Sequence, residues 1–355
     1  MYEQFFGLSC KPFSLLPDPD FLYLSKKHDL AMSLLEYAVS SDLVLSVVTG
    51  EVGSGKTTLV RQLLKQLGPS VSVGLISNTH HDYKNLMQFV AMSYGIEFKD
   101  KEEVELFRDF AEFLEDEYVA GRRTLLIVDE AQNLDDKTLE EIRLLTNINA
   151  DDRTYLQLLL VGQPELHDKL KQHNLRQLAQ RIGVVAQLDP LTEKETAEYV
   201  RHRVKVAGGD PKLFHKNALR LLYWNSGGIP RVINTLCDLA LVYAFAEQKQ
   251  RIDAVLIADI ARDRIDTGLY GQHVFDPETL KKADAARARV RAEAETRHVH
   301  TGEAEYITTM HSSQNRDMDM TDESDVTLID KQPFDLEVDG TDSGEITVRR
   351  LKSNF

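Results

Sequence analysis

Eight consecutive residues, Gly50-Glu51-Val52-Gly53-Ser54-Gly55-Lys56-Thr57, fit the spacing G-x-x-x-x-G-K-[ST] without a mismatch. Gly50, Gly53 and Gly55 let the backbone take dihedrals closed to other residues, so that successive N–H groups converge on one anion. The chemistry this permits is capture of a polyphosphate. Amides from Gly50 through Thr58 form the cup, Lys56 reaches the β- and γ-phosphates as a point charge, and the Thr57 hydroxyl sits on Mg²⁺. A second chemical centre follows at Thr124-Leu125-Leu126-Ile127-Val128-Asp129-Glu130, an apolar run that ends in two carboxylates. Asp129 is suited to holding the water shell of Mg²⁺, and Glu130 to orienting and polarising the water that attacks a γ-phosphate.

These groups have to be positioned by buried strands. Leu43 to Val48 is an apolar, β-branched run before the loop, and Thr58 to Leu67 carries a helical pattern after it, which puts bound phosphate at a helix N-terminus. That context speaks against an ordinary Gly-rich turn. The acidic pair likewise ends a continuous apolar run, as in a parallel strand whose C-terminal end opens on a ligand crevice. Further strands are expected at Val71 to Ser77, Tyr155 to Val161 and Val184 to Leu188. Helices are expected at Tyr83 to Tyr94, Glu102 to Val119, Lys137 to Ile148 and within Glu165 to Gln180. Alternating strands and helices predict an α/β fold, a parallel sheet with helices on both faces.

Three prolines, Pro12, Pro17 and Pro19, exclude a long helix from the opening stretch. Ser25 is placed to cap a helix through Tyr37. Such an arm either packs beside the nucleotide or plugs the core, and the sequence does not choose. From Thr192 to about Ile265 the pattern is helical only, with a capping box at Thr192-Glu193-Lys194-Glu195 and a break at Gly227-Gly228-Ile229-Pro230. The organisation expected is an arm (1–40), a nucleotide-binding core (41–189), a small helical domain (190–265), a charged helical linker (266–300) and an acidic tail too poor in apolar residues to order (301–355).

The 355 residues are 42% hydrophobic, enough for more than one domain. Only Cys10 and Cys237 occur, far apart, which indicates neither a disulfide framework nor a zinc site and fits a reducing compartment. No signal peptide pattern or apolar run of ~20 residues is visible, so a cytoplasmic location is expected. The net charge of −15 is concentrated in residues 301–346, where thirteen acidic residues face only Arg316 and Lys331. A mildly acidic body argues weakly against extended nucleic-acid binding.

Several ordered strings resemble the AAA+ ATPases and, within them, the ExeA/GspA-type secretion ATPases with their pilus-biogenesis and exopolysaccharide-locus relatives. They are Phe5-Phe6-Gly7-Leu8, Pro12-Phe13, Pro17-Asp18-Pro19, Val128-Asp129-Glu130-Ala131-Gln132-Asn133-Leu134, Val161-Gly162-Gln163-Pro164-Glu165-Leu166 and Gln177-Leu178-Ala179-Gln180-Arg181-Ile182. The resemblance covers about residues 1–265. It implies a sheet of order 5-1-4-3-2 with an all-helical lid, and ATP binding and hydrolysis with Mg²⁺. It also implies Gln163 as the polar sensor that helps place the attacking water, although Asn or Thr is commoner there. Arg181, with Arg176 as competitor, would be an arginine finger acting in trans within a homo-oligomer, and Arg231 the lid arginine that contacts nucleotide in its own chain. Arginine suits these places because its planar fork stays charged and can meet two phosphate oxygens.

The first functional expectation is therefore a cytoplasmic motor or switch serving secretion, pilus or surface-polysaccharide assembly, reaching the inner membrane only through a partner. Secretion members of this type often carry a membrane span and a peptidoglycan-binding region after the ATPase, and neither is seen here. A second is a DNA-handling adaptor of transposition type, for which Arg201-His202-Arg203 with Lys205, and Arg122-Arg123, are the best support. A third is a nucleotide-controlled scaffold with little turnover, its acidic tail docking a basic partner or keeping the chain soluble.

Overall fold

The computed structural model describes residues 1–77, 86–149 and 153–266. Beyond Asp266 the expected linker and tail lie outside the described residues, as do the first three residues of the helix expected from Tyr83.

Five strands form one parallel sheet: β1 (Leu45–Gly50), β2 (Val71–Ile76), β3 (Arg123–Val128), β4 (Leu156–Gly162) and β5 (Ile182–Leu188). Their order is β2-β3-β4-β1-β5, as the resemblance implies. Alternation along the strands sorts the core into two layers, because successive side chains point to opposite faces. Leu45, Val47, Leu126, Val128, Leu158 and Leu160 face α3 (Leu86–Tyr94), α4 (Glu103–Val119), α5 (Asp136–Leu145), α6 (Pro164–Leu170) and the short α7 (Arg176–Ala179). Val48, Leu125, Ile127, Leu159, Val161, Ala186 and Leu188 face α1 (Lys26–Ser40) and α2 (Lys56–Gln66) on the other side.

Register decides what meets at the C-terminal edge. Val48 and Thr49 of β1 align with Val161 and Gly162 of β4, and Val128 of β3 aligns with Leu160 of β4. The residues that follow β3, β4 and β1 therefore emerge side by side: Asp129 and Glu130, then Gln163, then the glycine-rich loop.

Four further helices, α8 (Glu193–Val206), α9 (Lys216–Ser226), α10 (Pro230–Ala246) and α11 (Ala254–Asp266), surround their own core. Thr192 and Glu195 form the expected capping box on α8. The arm belongs to this bundle: Tyr2, Leu8 and Phe13 are buried in its core, and the Tyr2 hydroxyl donates to Asp238. Arg203 of α8 is 7% exposed and donates through Nε to the Pro12 carbonyl. Its guanidinium lies 5.0 Å from the Phe21 ring and 5.6 Å from that of Tyr199. From the opposite side α2 grips the same strap, Arg61 donating to the Pro17 carbonyl (2.9 Å) and Lys65 pairing with Asp20 (2.9 Å). The arm is thus both a hydrophobic plug on the bundle and a wall beside the loop.

Among the described residues no helix is long and apolar enough to cross a membrane. Replacing Arg203 with methionine keeps the bulk but orphans the Pro12 carbonyl and removes the cation from the aromatic rings. Urea unfolding of R203M is expected to show a loss of about 1.5–3 kcal/mol, the range for a hydrogen bond to a charged group. An unchanged midpoint would mean that the arm is held without it.

Candidate nucleotide-binding site

The loop between β1 and α2 is built on two left-handed glycines, Gly53 (φ 81°) and Gly55 (φ 104°). Turning several N–H groups toward one point obliges the carbonyls to turn away, and buried carbonyls need donors. Each has one. Lys56 Nζ donates to Gly50 O (2.8 Å) and Glu51 O (3.1 Å), the Arg231 backbone N–H to Gly53 O (3.1 Å), and His28 Nε2 to Ser54 O (2.9 Å). Gly53 must be glycine, since a Cβ there would come within 2.4 Å of Arg231 Cβ.

Lys56 is buried, and burial pulls its ammonium pKa down against the pull of Glu130, Asp129, Glu51 and Glu165. The Thr57 hydroxyl lies 3.5 Å from Asp129 Oδ2. Burial pushes the Asp129 carboxyl up, and the charge of Glu130 adds to this, while the Glu130 N–H (2.9 Å from Oδ1), Lys56 and Thr57 favour the ionised form. Glu130 sits in the left-handed region (φ 54°), and its Oε2 accepts from Gln132 Nε2 at 2.6 Å.

Loop, arm and bundle enclose a cavity of about 200 Å³. Val52 through Thr58 and Glu130 line one side, Leu15, Phe21 and Tyr23 of the arm another, and Tyr199, Arg231 and Asn234 of the bundle the third. Asn234 is fixed by the Tyr199 hydroxyl, which donates to its Oδ1 at 2.8 Å.

The structure thus brings the loop residues, Asp129, Glu130 and Arg231 together. Gln163 does not line the cavity; its backbone N–H donates to Gln132 Oε1 at 3.0 Å. Arg181 is not in the cavity: its guanidinium donates to the Thr146 hydroxyl and to Asn147 Oδ1. Arg176 is exposed on α7. Of the basic residues noted for nucleic acid, Arg203 is interior, while Arg122, paired with Glu117 (2.5 Å), Arg123, paired with Asp42 (3.2 Å), Arg201 and Lys205 are exposed.

Two participants carry no role in the sequence reading. Gln132 lies within a quoted string, yet nothing local marks its contacts. His28 does leave a signal, since it falls on the same helical stripe as the buried Ala31, Met32 and Leu35. A polar ring on that stripe requires buried partners, and it has two: Ser25 Oγ at Nδ1 (2.8 Å) and Ser54 O at Nε2. The neutral ring meets both needs when Nε2 carries the proton and Nδ1 accepts from the serine.

Residues 44–170 match the AAA domain family. These residues hold the glycine loop and the paired acids, so that part of the site described above lies within the AAA domain. More particularly, the chain is 42% identical over 253 residues to the general secretion pathway protein A of Aeromonas hydrophila, a match that spans 71% of this chain and 46% of that one. The chain therefore spans less than half the length of that relative. Among solved structures it is similar to the ORC2 protein of Aeropyrum pernix in its ADPNP–ADP complexes, with 17% identity, a TM-score of 0.53, and 70% of each chain covered. It is also similar to Cdc6p of Pyrobaculum aerophilum, with 16% identity, a TM-score of 0.55, and 70% of each chain covered. At such identities these likenesses establish the shared fold.

Burial holds the His28 pKa below its ordinary value of 6.5, against opposing contributions from Ser54 O and Glu195. The unfolded chain therefore takes up a proton that the folded chain resists, and the stability due to the neutral ring is complete above pH 6.5 and declines as the pH falls below it. Thermal unfolding between pH 5 and 8 is expected to show this decline in the native protein. H28L, with the Ser54 carbonyl orphaned, should be less stable at neutral pH and have a shallower dependence on acid. Equal slopes for the two proteins would remove His28 as the group responsible.

Proposed function

We propose that this protein binds ATP with Mg²⁺ and hydrolyses it to ADP and phosphate. The observation that carries the reading is the convergence, at one sheet edge, of an amide nest with Lys56, the Thr57 hydroxyl beside Asp129, and Glu130. In this reading Lys56, held at the loop by the Gly50 and Glu51 carbonyls, supplies its charge to β- and γ-phosphate oxygens. The loop amides hold the phosphates at the N-terminus of α2.

Thr57 Oγ1 and Asp129 Oδ2 are hard oxygen donors close together, and a half-buried carboxylate disfavoured by desolvation gains from a cation, so the pair fits Mg²⁺. The ion would supply charge neutralisation between the β- and γ-phosphates when bound. Glu130 orients a water for in-line attack. Its oxygen bonds to the γ-phosphorus as the bond from that phosphorus to the β–γ bridging oxygen breaks, and Glu130 provides the acceptor for the water proton. Arg231, at the cavity wall, contacts nucleotide from the same chain, and Gln163 marks the β4 end beside the γ-phosphate position. Arg181 acts across an interface between copies, where such a finger can be worth roughly 10³ to 10⁵ in rate. Its bonds to Thr146 and Asn147 then serve as its mounting, and Arg176 is the alternative.

The parts are an arm (1–40), a core (41–189) and a helical lid (190–265). Kinship with a general secretion pathway protein A supports a motor or switch for an envelope assembly of the secretion, pilus or polysaccharide type, reached at the inner membrane through a partner protein.

K56A is expected to abolish saturable binding of a labelled adenine nucleotide in the presence of magnesium. E130Q should bind normally and lose turnover by about 10² to 10⁴, the range for a positioned acid or base. No saturable binding by the unaltered protein would falsify the whole reading. For the interface, R181A should be inactive alone and regain activity when mixed with E130Q subunits that carry the arginine. If only R176A behaves in this way, the finger is Arg176.

A further inference from the structure

We propose that Gln132 is a positioning residue for hydrolysis: its amide clamps the Glu130 carboxylate to the β4–α6 junction and so fixes the oxygen that faces the attacking water. The proposal rests on the reading of Glu130 as the water-orienting group.

Four observations lead to it. First, Glu130 leaves β3 in the left-handed region (φ 54°), a backbone state that a residue with a Cβ keeps only when its surroundings impose it. Second, both ends of the Gln132 side chain are used. Nε2 donates to Glu130 Oε2 at 2.6 Å, and Oε1 accepts from the Gln163 N–H at 3.0 Å. The partners fix which end is which, because a carboxylate only accepts and a backbone N–H only donates.

Third, the turn that presents Gln132 is itself pinned. Lys169 of α6 places its ammonium on the Gln132 carbonyl (2.9 Å) and the Leu134 carbonyl (2.6 Å), holding the 3₁₀ turn Ala131–Asn133 against the helix. Fourth, the last residue of β4 leaves room for the amide. A Cβ at Gly162 would lie 3.0 Å from Gln132 Oε1 and 2.8 Å from Leu166 Cδ2, so a larger residue would push the glutamine out of line.

Glutamine is matched to this place. Glutamate would keep an acceptor for Gln163 but set a second negative charge against Glu130. Alanine would leave Oε2 without this clamp and the Gln163 N–H without its acceptor. A lysine would neutralise the carboxylate instead of aiming it. The same amide makes Glu130 answerable to the end of β4, so that a shift of Gln163 is passed to the carboxylate through two hydrogen bonds.

The test compares full-length native protein, Q132A, Q132E and E130Q, and the double variant E130Q/Q132A. ATP turnover, affinity for a fluorescent ATP analogue and thermal midpoint are measured for each. Both Q132A and the near-isosteric Q132E are expected to lower kcat by about 10- to 100-fold, the scale on which a displacement of 1 Å is felt. Affinity should stay within about twofold, since the phosphate nest is untouched, and the double variant should be no slower than E130Q alone. Wild-type kcat in Q132A and Q132E, with E130Q inactive, would overturn the role of Gln132 and leave that of Glu130 standing. Loss of affinity or thermal midpoint in step with kcat would also overturn it, marking a structural role. Wild-type turnover by E130Q would instead bring down the reading of Glu130, and this proposal with it.

Discussion

The arrangement depends on what happens to four carbonyl groups. An amide nest gathers N–H groups toward an anion only by driving the intervening carbonyls outward, into protein where water is scarce. In this chain that of Gly50 falls to Lys56, that of Glu51 to Lys56 and the Ser54 N–H, that of Gly53 to the backbone of α10, and that of Ser54 to His28 on α1. A loop often described by its glycines is held equally by donors from three separate elements. Leaving any one of those carbonyls buried and unpaired costs about 1–3 kcal/mol, comparable to a sizeable share of a domain's net stability.

The sheet supplies the complementary constraint. Because β4 lies between β1 and β3 in continuous parallel register, the loop, Gln163 and the acidic pair emerge in that lateral sequence at one edge. Neither the arm nor the bundle belongs to this sheet, yet both reach the same cavity. The arm is gripped from two sides, by Arg203 of the bundle and by Arg61 and Lys65 of α2, so that a proline-rich strap without regular structure beyond one 3₁₀ turn still has a defined path.

Much of this was legible in the residues, and the exceptions share a cause. Continuous apolar runs placed the central strands, and Ser25 and Thr192 marked their helix starts, because these signals are local. Boundaries slipped where they depend on neighbours: β1 begins at Leu45 and runs through Gly50, and β5 begins at Ile182, which pairs with Leu45 across a register shift. The helix expected to Ile148 ends at Leu145 and tightens into a 3₁₀ turn, a change of pitch over three residues that is too short to show in the apolar pattern. In the site, the loop and acidic pair were readable because their spacing is the chemistry. Gln132 was not, since its partners lie 31 residues away at Gln163 and on a backbone turn that no pattern announces. Arg203 read as a nucleic-acid contact because Phe21, whose ring covers it, and Pro12, whose carbonyl it meets, lie far away on the arm; only Tyr199, one turn back on the same helical face, is a local neighbour.

The break Gly227-Gly228-Ile229-Pro230 shows how a local signal can encode a long-range coupling. Gly228 (φ 76°) has no room for a side chain, as a Cβ would fall 2.0 Å from the Leu191 carbonyl, and its own carbonyl accepts from the Leu191 N–H at 2.9 Å. Pro230 then opens α10 without an N–H of its own, so Arg231 carries the first backbone donor of that helix. Helix starts leave such donors unsatisfied, and the loop leaves the Gly53 carbonyl unsatisfied; the two meet at 3.1 Å. Separating bundle from core would strand both at once. The position of the bundle is therefore tied to the geometry of the phosphate loop by a bond between two backbones, one that substitution of the Arg231 side chain alone would leave in place.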